Sequence, residues 1–488
     1  MTKTTTGAAA EKATLIRGAG WLLAYDADKG THVAKQGADV AWRGDRFVDP
    51  ETLPPEQIGK VIDGSDMMIV PGFVDIHAHP GFETMLKGLT EEVGSVKLQM
   101  SSLYEYLFLF DTTQDGMVAA TQVALSELMQ SGVTTICDIS TPHDGWIDTL
   151  AASGMRAYAA PMFREAVWYT ENGHEVLYKW DEKAGERRLA AALAEVDAAI
   201  AHPSGRLSGM ICPAQIDTCS QGMFEAARDE ARKRGLKVQT HAAQSVVEFQ
   251  EIMRRHGETP IGWLNKMGLL GEDMIIGHGI FLDHNDWLGW PDRNDLGLLA
   301  ETGTTVAHCP TVFVRRGIAL QDVGSYVRAG VNVGIGTDTY PHNFIEEMRN
   351  GIYAARVSAH DVRAGNAEIM LHAATIGGAR ALGRDDIGRI APGAKADFFT
   401  VDLKDPSMRP VHDPIRSLIY SAGNRPIRSV YVDGAQVVTD GVAQAFDMED
   451  AMTRLEAAQK ASVAEVHKYD WAGRPAEEIM PRVFSQKV

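Results

Sequence analysis

Cysteine is scarce in this chain. Its 488 residues hold four, Cys137, Cys212, Cys219 and Cys309. They are scattered, with neither the paired spacing of a zinc finger nor the density of a disulfide-stapled domain. They read as buried free thiols in a reducing compartment. Basic charge is also short: 47 Lys and Arg stand against 65 Asp and Glu, a net charge of −18. That balance argues against nucleic acid and anionic membrane surfaces as partners. No window of 18 apolar residues occurs, which excludes a transmembrane helix. The opening stretch MTKTTTGAAAEKATLIRGAG has no apolar core of the secretory type. The expectation is a cytoplasmic protein with a disordered segment over 1–12. Internal repeats and low-complexity tracts are missing too.

What is present is a change of texture along the chain. From 13 to 70, short β-type runs such as ADVAWRGDRFV alternate with Gly and Asp turns. From 71 to 389, helical and strand patterns alternate. GMVAATQVALSELMQSG has helical spacing, and VTTICDIS after it reads as a buried strand. Strands fall near 73–77, 133–138, 155–160, 207–213, 236–241, 274–278, 304–308 and 332–337. Eight βα units over this length predict a (β/α)8 TIM barrel. β-type runs return over 390–446 and can pair with 13–70 as one small composite β-sandwich domain. The remainder, 447–488, begins as a helix and turns irregular near Trp471 and Pro475. The helix leaves a homo-oligomer open.

In a barrel the C-terminal strand ends face the active site. Read in order, those ends carry His77 and His79, then His241, His278, His308 and Asp338. Residues i and i+2 of a strand share a face, so His77 and His79 in PGFVDIHAHP can aim two imidazoles at one point. With His241 and the Asp338 carboxylate they suit Zn²⁺ or Fe²⁺. Such an ion makes hydroxide available by lowering the pKa of water toward about 7. Asp338 is placed to take the proton.

These residues carry a resemblance. PGFVDIHAHP, LSGMICPAQIDTCS, GHGIFLDHND, LAETGTTVAHCPTV, VNVGIGTDTYPHN and ATIGGARALGRDDIGRIAPGAKADFFTVD resemble, in order, motifs of the amidohydrolase superfamily. The branch resembled holds cytosine deaminase, guanine deaminase and the triazine chlorohydrolases. The resemblance runs from about 13 to 440. It implies that His77, His79, His241 and Asp338 bind one divalent metal, and that His278 contacts the attacking water or the polarised atom of the substrate. Zn²⁺ is the first choice, with Fe²⁺ or Mn²⁺ compatible. RLSGMICPAQ has no lysine to carry a bridging carbamate, which favours one metal per chain.

Three departures stand out. Gln244 occupies the position where this branch has Glu, while Glu248 keeps the place of a second Glu. Gln215 replaces a His that often touches substrate. Lys87 stands where Arg is common. An amide has no titratable group near neutral pH, so Gln244 does not pass a proton to a ring nitrogen. The expected reaction is therefore hydrolysis of an amide, urea or carbamate of a small molecule. The alternative is an aminohydrolase of an N-heterocycle, a deaminase or dechlorinase. A metal-free scaffold of the same fold is a third reading, opposed by the intact histidine set. Phe82, Met85, Tyr104, Tyr106 and Phe108 after the first strand, and Trp168 and Tyr169 after the third, either line an apolar pocket or pack their loops down. Arg315 and Arg316 either meet an anionic or carbonyl group or stay solvated. Gln244, Gln215, Phe82, Met85, Trp168 and His308 are the candidate substrate-binding residues.

Overall fold

The computed structural model describes residues 11–484. Of the segment 1–12 expected to be disordered, residues 1–10 lie outside it. The strands that position the site are β1 (Phe73–Ala78), β2 (Val133–Asp138), β3 (Arg156–Ala159), β4 (Leu207–Gly209), β5 (Val238–Ala242), β6 (Met274–His278), β7 (Thr305–His308) and β8 (Asn332–Ile335). They form two parallel four-stranded sheets, ordered β4-β3-β2-β1 and β5-β6-β7-β8. Each strand is a short run buried almost throughout, as parallel strands covered on both faces require.

The sheets meet at both edges through single bridges, not continuous ladders. Beyond β1 and β8, Asp338 N donates to His77 O and His79 N to Asp338 O, each at 2.8 Å. Beyond β4, Gln239 N donates to Ile211 O at 3.0 Å and His241 N to Ala214 O at 3.1 Å. The result is a TIM-barrel-like α/β fold. Its helices are locally specified. Thr113, Asp181 and Ser220 cap the helices Gln114–Gln130, Glu182–Ala201 and Gln221–Arg234 with side-chain oxygens. Gly235 ends the last of these in the left-handed region, at φ 66°.

Strands from both ends of the chain share one seven-stranded sheet. There Phe398–Asp402 lies between Ile427–Val432 and Met67–Pro71, and Met67–Pro71 pairs with Trp21–Asp26. A four-stranded sheet around Ala13–Ala19 adds Ile16, Trp42 and Phe47 to the same apolar cluster as Ile69, Phe398 and Tyr431. This cluster is tied to the parallel sheets by charge. Arg156 of β3 reaches Asp397 at 3.1 Å and Asp433 at 2.6 Å. The Arg156 and Asp397 side chains are 4% and 0% exposed. Removing one member of a buried pair leaves the other charge uncompensated. Arg156→Ala is expected to cost about 3–5 kcal/mol, read as a lower urea midpoint; an unchanged midpoint would show that the junction carries no stability.

The helix Met448–Tyr469 packs on the chain's own helix Gln114–Gln130. Its Gln459 donates to the carbonyls of Met85 and Lys87 at 2.6 and 2.9 Å. The segment following it reaches the same loop, where Trp471 Nε1 and Arg474 donate to the Glu105 carboxylate at 3.0 and 2.7 Å. No helix of the described residues is long and apolar enough to cross a membrane.

Candidate metal centre

Five side chains converge where the two sheets join. His79 Nε2 lies 3.2 Å from His241 Nε2 and 3.2 Å from Asp338 Oδ1. His77 Nε2 lies 3.3 Å from the same carboxylate oxygen. One ligand-type atom each of His77, His241, His278 and Asp338 falls within 4.8 Å of the others. The backbone takes left-handed values at His278 (φ 82°) and Asp338 (φ 58°). Such conformations persist where the surrounding structure dictates them.

The donor chemistry fits a divalent ion. A metal ligand imidazole offers one nitrogen lone pair and has its other N–H held by an acceptor. His79 Nδ1 is 2.5 Å from Ile139 O, and His241 Nδ1 is 2.6 Å from Ala214 O. A carbonyl only accepts, so each Nδ1 carries the hydrogen and each Nε2 keeps its lone pair. His77 reaches the same state through a side chain. Gln239 Nε2 donates to Ile76 O at 3.0 Å, which turns Oε1 toward His77 Nδ1 at 2.5 Å. Neutral imidazoles are what a cation needs. Burial, with the charges of His77 and His79, pushes His278 down to about 3 against the pull of Asp338. Burial likewise drives His241 well below its usual value, whereas at His79 the Asp338 carboxylate outweighs burial and raises it. Burial opposes ionisation of Asp338 too, but the surrounding His77, His79 and His278 imidazoles outweigh it and hold the carboxyl well below the usual range.

Asp75 braces this arrangement. Its carboxylate accepts from Thr337 Oγ1 at 2.6 Å, from Thr337 N at 3.2 Å and from His77 N at 3.1 Å. It thereby ties the strand that carries His77 to the segment after β8 that carries Asp338. Reading the sequence missed Asp75 and Gln239. The one available signal was spacing, since each stands two residues before a ligand-type histidine.

A cavity of about 350 Å³ opens onto the cluster, a size suited to a small heterocycle. His79, His241, His278 and Asp338 line it, as do Phe82, Gln215, Gln244, Tyr106 and Phe108. Among the metal candidates His77 does not, and three of the six substrate candidates do not. Met85 is buried with Leu109, Phe110 and Tyr340 beneath the loop. Trp168 packs with Tyr104, and its Nε1 donates to Asp217 at 2.8 Å, which draws the ring away from the cavity. His308 is buried facing the helix Phe344–Ala359, where a β-carbon on Gly351 would stand 3.2 Å from its Nε2. Its neighbour Ala307 instead joins Ile275, Cys137 and Met210 in a separate buried cluster. Tyr169 is 42% exposed and also off the cavity. Arg315 and Arg316 do line it, partly buried and held by protein oxygens. Arg315 donates to Tyr340 O at 3.1 Å and Thr339 Oγ1 at 3.0 Å, and Arg316 to Val93 O at 3.2 Å. Lys87 pairs with Glu127. Glu248 sits behind the wall, accepting from Ala243 N at 2.6 Å and Gln244 N at 3.3 Å. Glu83 and Arg164, neither singled out in the sequence, line the cavity as well.

The comparisons agree with this architecture. The profile described as "Amidohydrolase family" matches residues 68–437. A 5-methylthioadenosine/S-adenosylhomocysteine deaminase of Haloarcula marismortui is 29% identical, over 86% of this chain and 91% of that protein. An adenosine deaminase of Xanthomonas campestris with bound zinc superposes with a TM-score of 0.76 at 24% identity, over 93% of this chain and 99% of that one. An atrazine chlorohydrolase of Arthrobacter aurescens complexed with zinc gives a TM-score of 0.75 at 21% identity, over 91% and 100%. With more than half its length matched by that profile, the chain belongs to the amidohydrolase family and is a hydrolase acting on carbon–nitrogen bonds.

Proposed function

We propose that the chain is a metal-dependent aminohydrolase, releasing ammonia from an amino group on an N-heterocycle. This reverses the preference for amides, ureas and carbamates drawn from Gln244. What carries the reading is the cluster of His77, His79, His241, His278 and Asp338, all but His77 lining one cavity, in a chain whose curated relatives include deaminases. His77, His79, His241 and Asp338 would hold the ion, one per chain, with zinc first. It supplies Lewis acidity and hydroxide near neutral pH. The chain's own residues do the rest. The amine-bearing carbon takes oxygen from water, and its C–N bond breaks. Asp338 carries one water proton to the leaving nitrogen, which departs as ammonia. The other proton stays on the product as its oxo tautomer. His278 stabilises the negative charge that develops during attack. Gln244, 2% exposed, has a buried Nε2 with no protein partner among the described residues, and it orients the substrate by donating to an acceptor on the ring.

The same reading treats 71–389 as a closed (β/α)8 barrel, 13–70 with 390–446 as a composite β-sandwich, and 447–488 as a C-terminal helix and tail.

The test is ammonia release by zinc-reconstituted protein across aminopyrimidines, aminopurines, aminotriazines, amides, ureas and carbamates. Turnover confined to the last three would overturn the reading. Gln244→Glu places a titratable carboxyl beside the ring. It is expected to raise kcat/KM on neutral aminoheterocycles by about tenfold or more. An unchanged rate on all of them would show that proton delivery to the ring does not limit this enzyme.

A further inference from the structure

We propose that the wall formed by Arg164, Gln215 and Gln244 is an anion subsite, and that the substrate is an aminoheterocycle bearing a carboxylate. This rests on the aminohydrolase reading and names its substrate class.

Three neighbouring strands deliver the wall. The chain after β3 pairs Met162 with Cys212 and Phe163 with Pro213, which sets Arg164 beside Ala214 and one residue from Gln215. Gln215 in turn bridges to His241 of β5, and Gln244 follows three residues later. All three side chains line the cavity. Each offers N–H groups. Gln215 Oε1 is engaged by the Thr218 hydroxyl at 3.0 Å, so its amide nitrogen is what remains to give. Gln244 Nε2 is buried without a partner.

Arg164 is the charge that makes this wall selective. It is partly buried, and among the described residues its guanidinium makes no ion pair. The guanidinium carbon rests 5.4 Å from the Phe108 ring centroid, and Phe108 lines the cavity too. Burial, and the nearby Arg188, push its pKa down. The cavity's own carboxylates are engaged elsewhere. Asp338 belongs to the histidines, Asp111 accepts from Thr112 N at 2.8 Å, and Glu83, its carboxyl raised by burial, lies nearest in charge to His79 and Asp338. A partly buried guanidinium without a counter-ion is left short of partners, and its planar fork matches a carboxylate. Where the resembled deaminases carry Glu, this wall carries a donor. It therefore favours a substrate that brings the negative charge itself.

The experiment uses the full-length zinc-loaded protein and calorimetric binding. Its probes are aminopyrimidine, aminotriazine and aminopteridine carboxylates, each beside its carboxamide. At least one carboxylate is expected to bind about tenfold or more tighter than its amide. Arg164→Gln should bring that ratio to within about twofold of one, and Arg164→Lys should retain part of it. Equal affinities, no binding by any carboxylate, or a ratio that survives Arg164→Gln would each overturn the subsite. The parent comparison stands alone, so a variant that fails to fold does not shield the idea. Ammonia release is read separately. A carboxylate preference with no ammonia from any probe sinks the aminohydrolase reading and leaves the subsite; ammonia from neutral probes with no preference does the reverse.

Discussion

His77→Ala and His241→Ala are each expected to lose the metal and, with it, turnover. Metal analysis after dialysis should find about one equivalent of zinc per chain in the parent and almost none in either variant. The reason lies in how few donors there are and how they are fixed. Each imidazole has its Nδ1 hydrogen committed to a set acceptor, Gln239 for His77 and Ala214 O for His241. Their Nε2 lone pairs have no alternative conformer to offer. His278 and Asp338 already belong to the cluster, so neither is a spare ligand to replace one. Lewis acidity contributes several kcal/mol at the transition state, and 1.36 kcal/mol is tenfold in rate. The loss in kcat/KM should thus reach about 10³-fold or more. Removing zinc from the parent with a chelator should give the same loss, and added zinc should reverse it in the parent alone. Two tightly bound equivalents in the parent would mean a second ligand set that the four residues do not explain. Full metal content in both variants would move the site elsewhere.

The cluster was legible in the sequence because strand geometry is periodic. His77 and His79 share a face by their i, i+2 spacing, and the order of strand ends brings His241, His278 and Asp338 to one mouth. The strands themselves fell within a few residues of expectation. The exception is the run near 207–213, which divides into Leu207–Gly209 and Cys212–Pro213 around Met210 and Ile211. What was not legible depends on partners distant in the chain. Gln239 looks like a polar residue in a strand until Ile76 O fixes its amide. Arg164 becomes a wall of the cavity only because its segment pairs with Cys212 and Pro213. Met85 and Trp168 were misplaced because a large apolar residue on a long loop is buried equally well beneath the loop as in a pocket. For Trp168 the Asp217 carboxylate decides. Arg315 and Arg316 looked like solvated charge, yet backbone carbonyls of Tyr340 and Val93 hold them at the cavity. Gln244 misled differently. The missing titratable group is real, but it bears on one proton transfer, whereas the substrate class is better indicated by the relatives that share the framework.

Asp338→Asn is expected to fold as the parent does and to lose at least about 10²-fold in rate. The fold should survive because the bonds that join the sheet edges here are backbone bonds, His79 N to Asp338 O and Asp338 N to His77 O. The left-handed backbone at this position suits Asn as well as Asp. What changes is the side chain. The carboxylate carries a full negative charge among three imidazoles, held ionised by His77 and His79. The amide keeps its shape and one accepting oxygen but neither the charge nor any basicity. It can still contact an ion, so some metal should remain, and rates must be compared per bound zinc and not per chain. On that basis the loss isolates proton transfer from metal loss. The thermal midpoint should stay close to that of the parent at matched metal content. Near-native turnover per zinc would take Asp338 out of proton transfer and leave it as a ligand alone. His278 is the only other titratable group of the cluster not assigned to the ion, and it would then be the residue to test as the proton carrier.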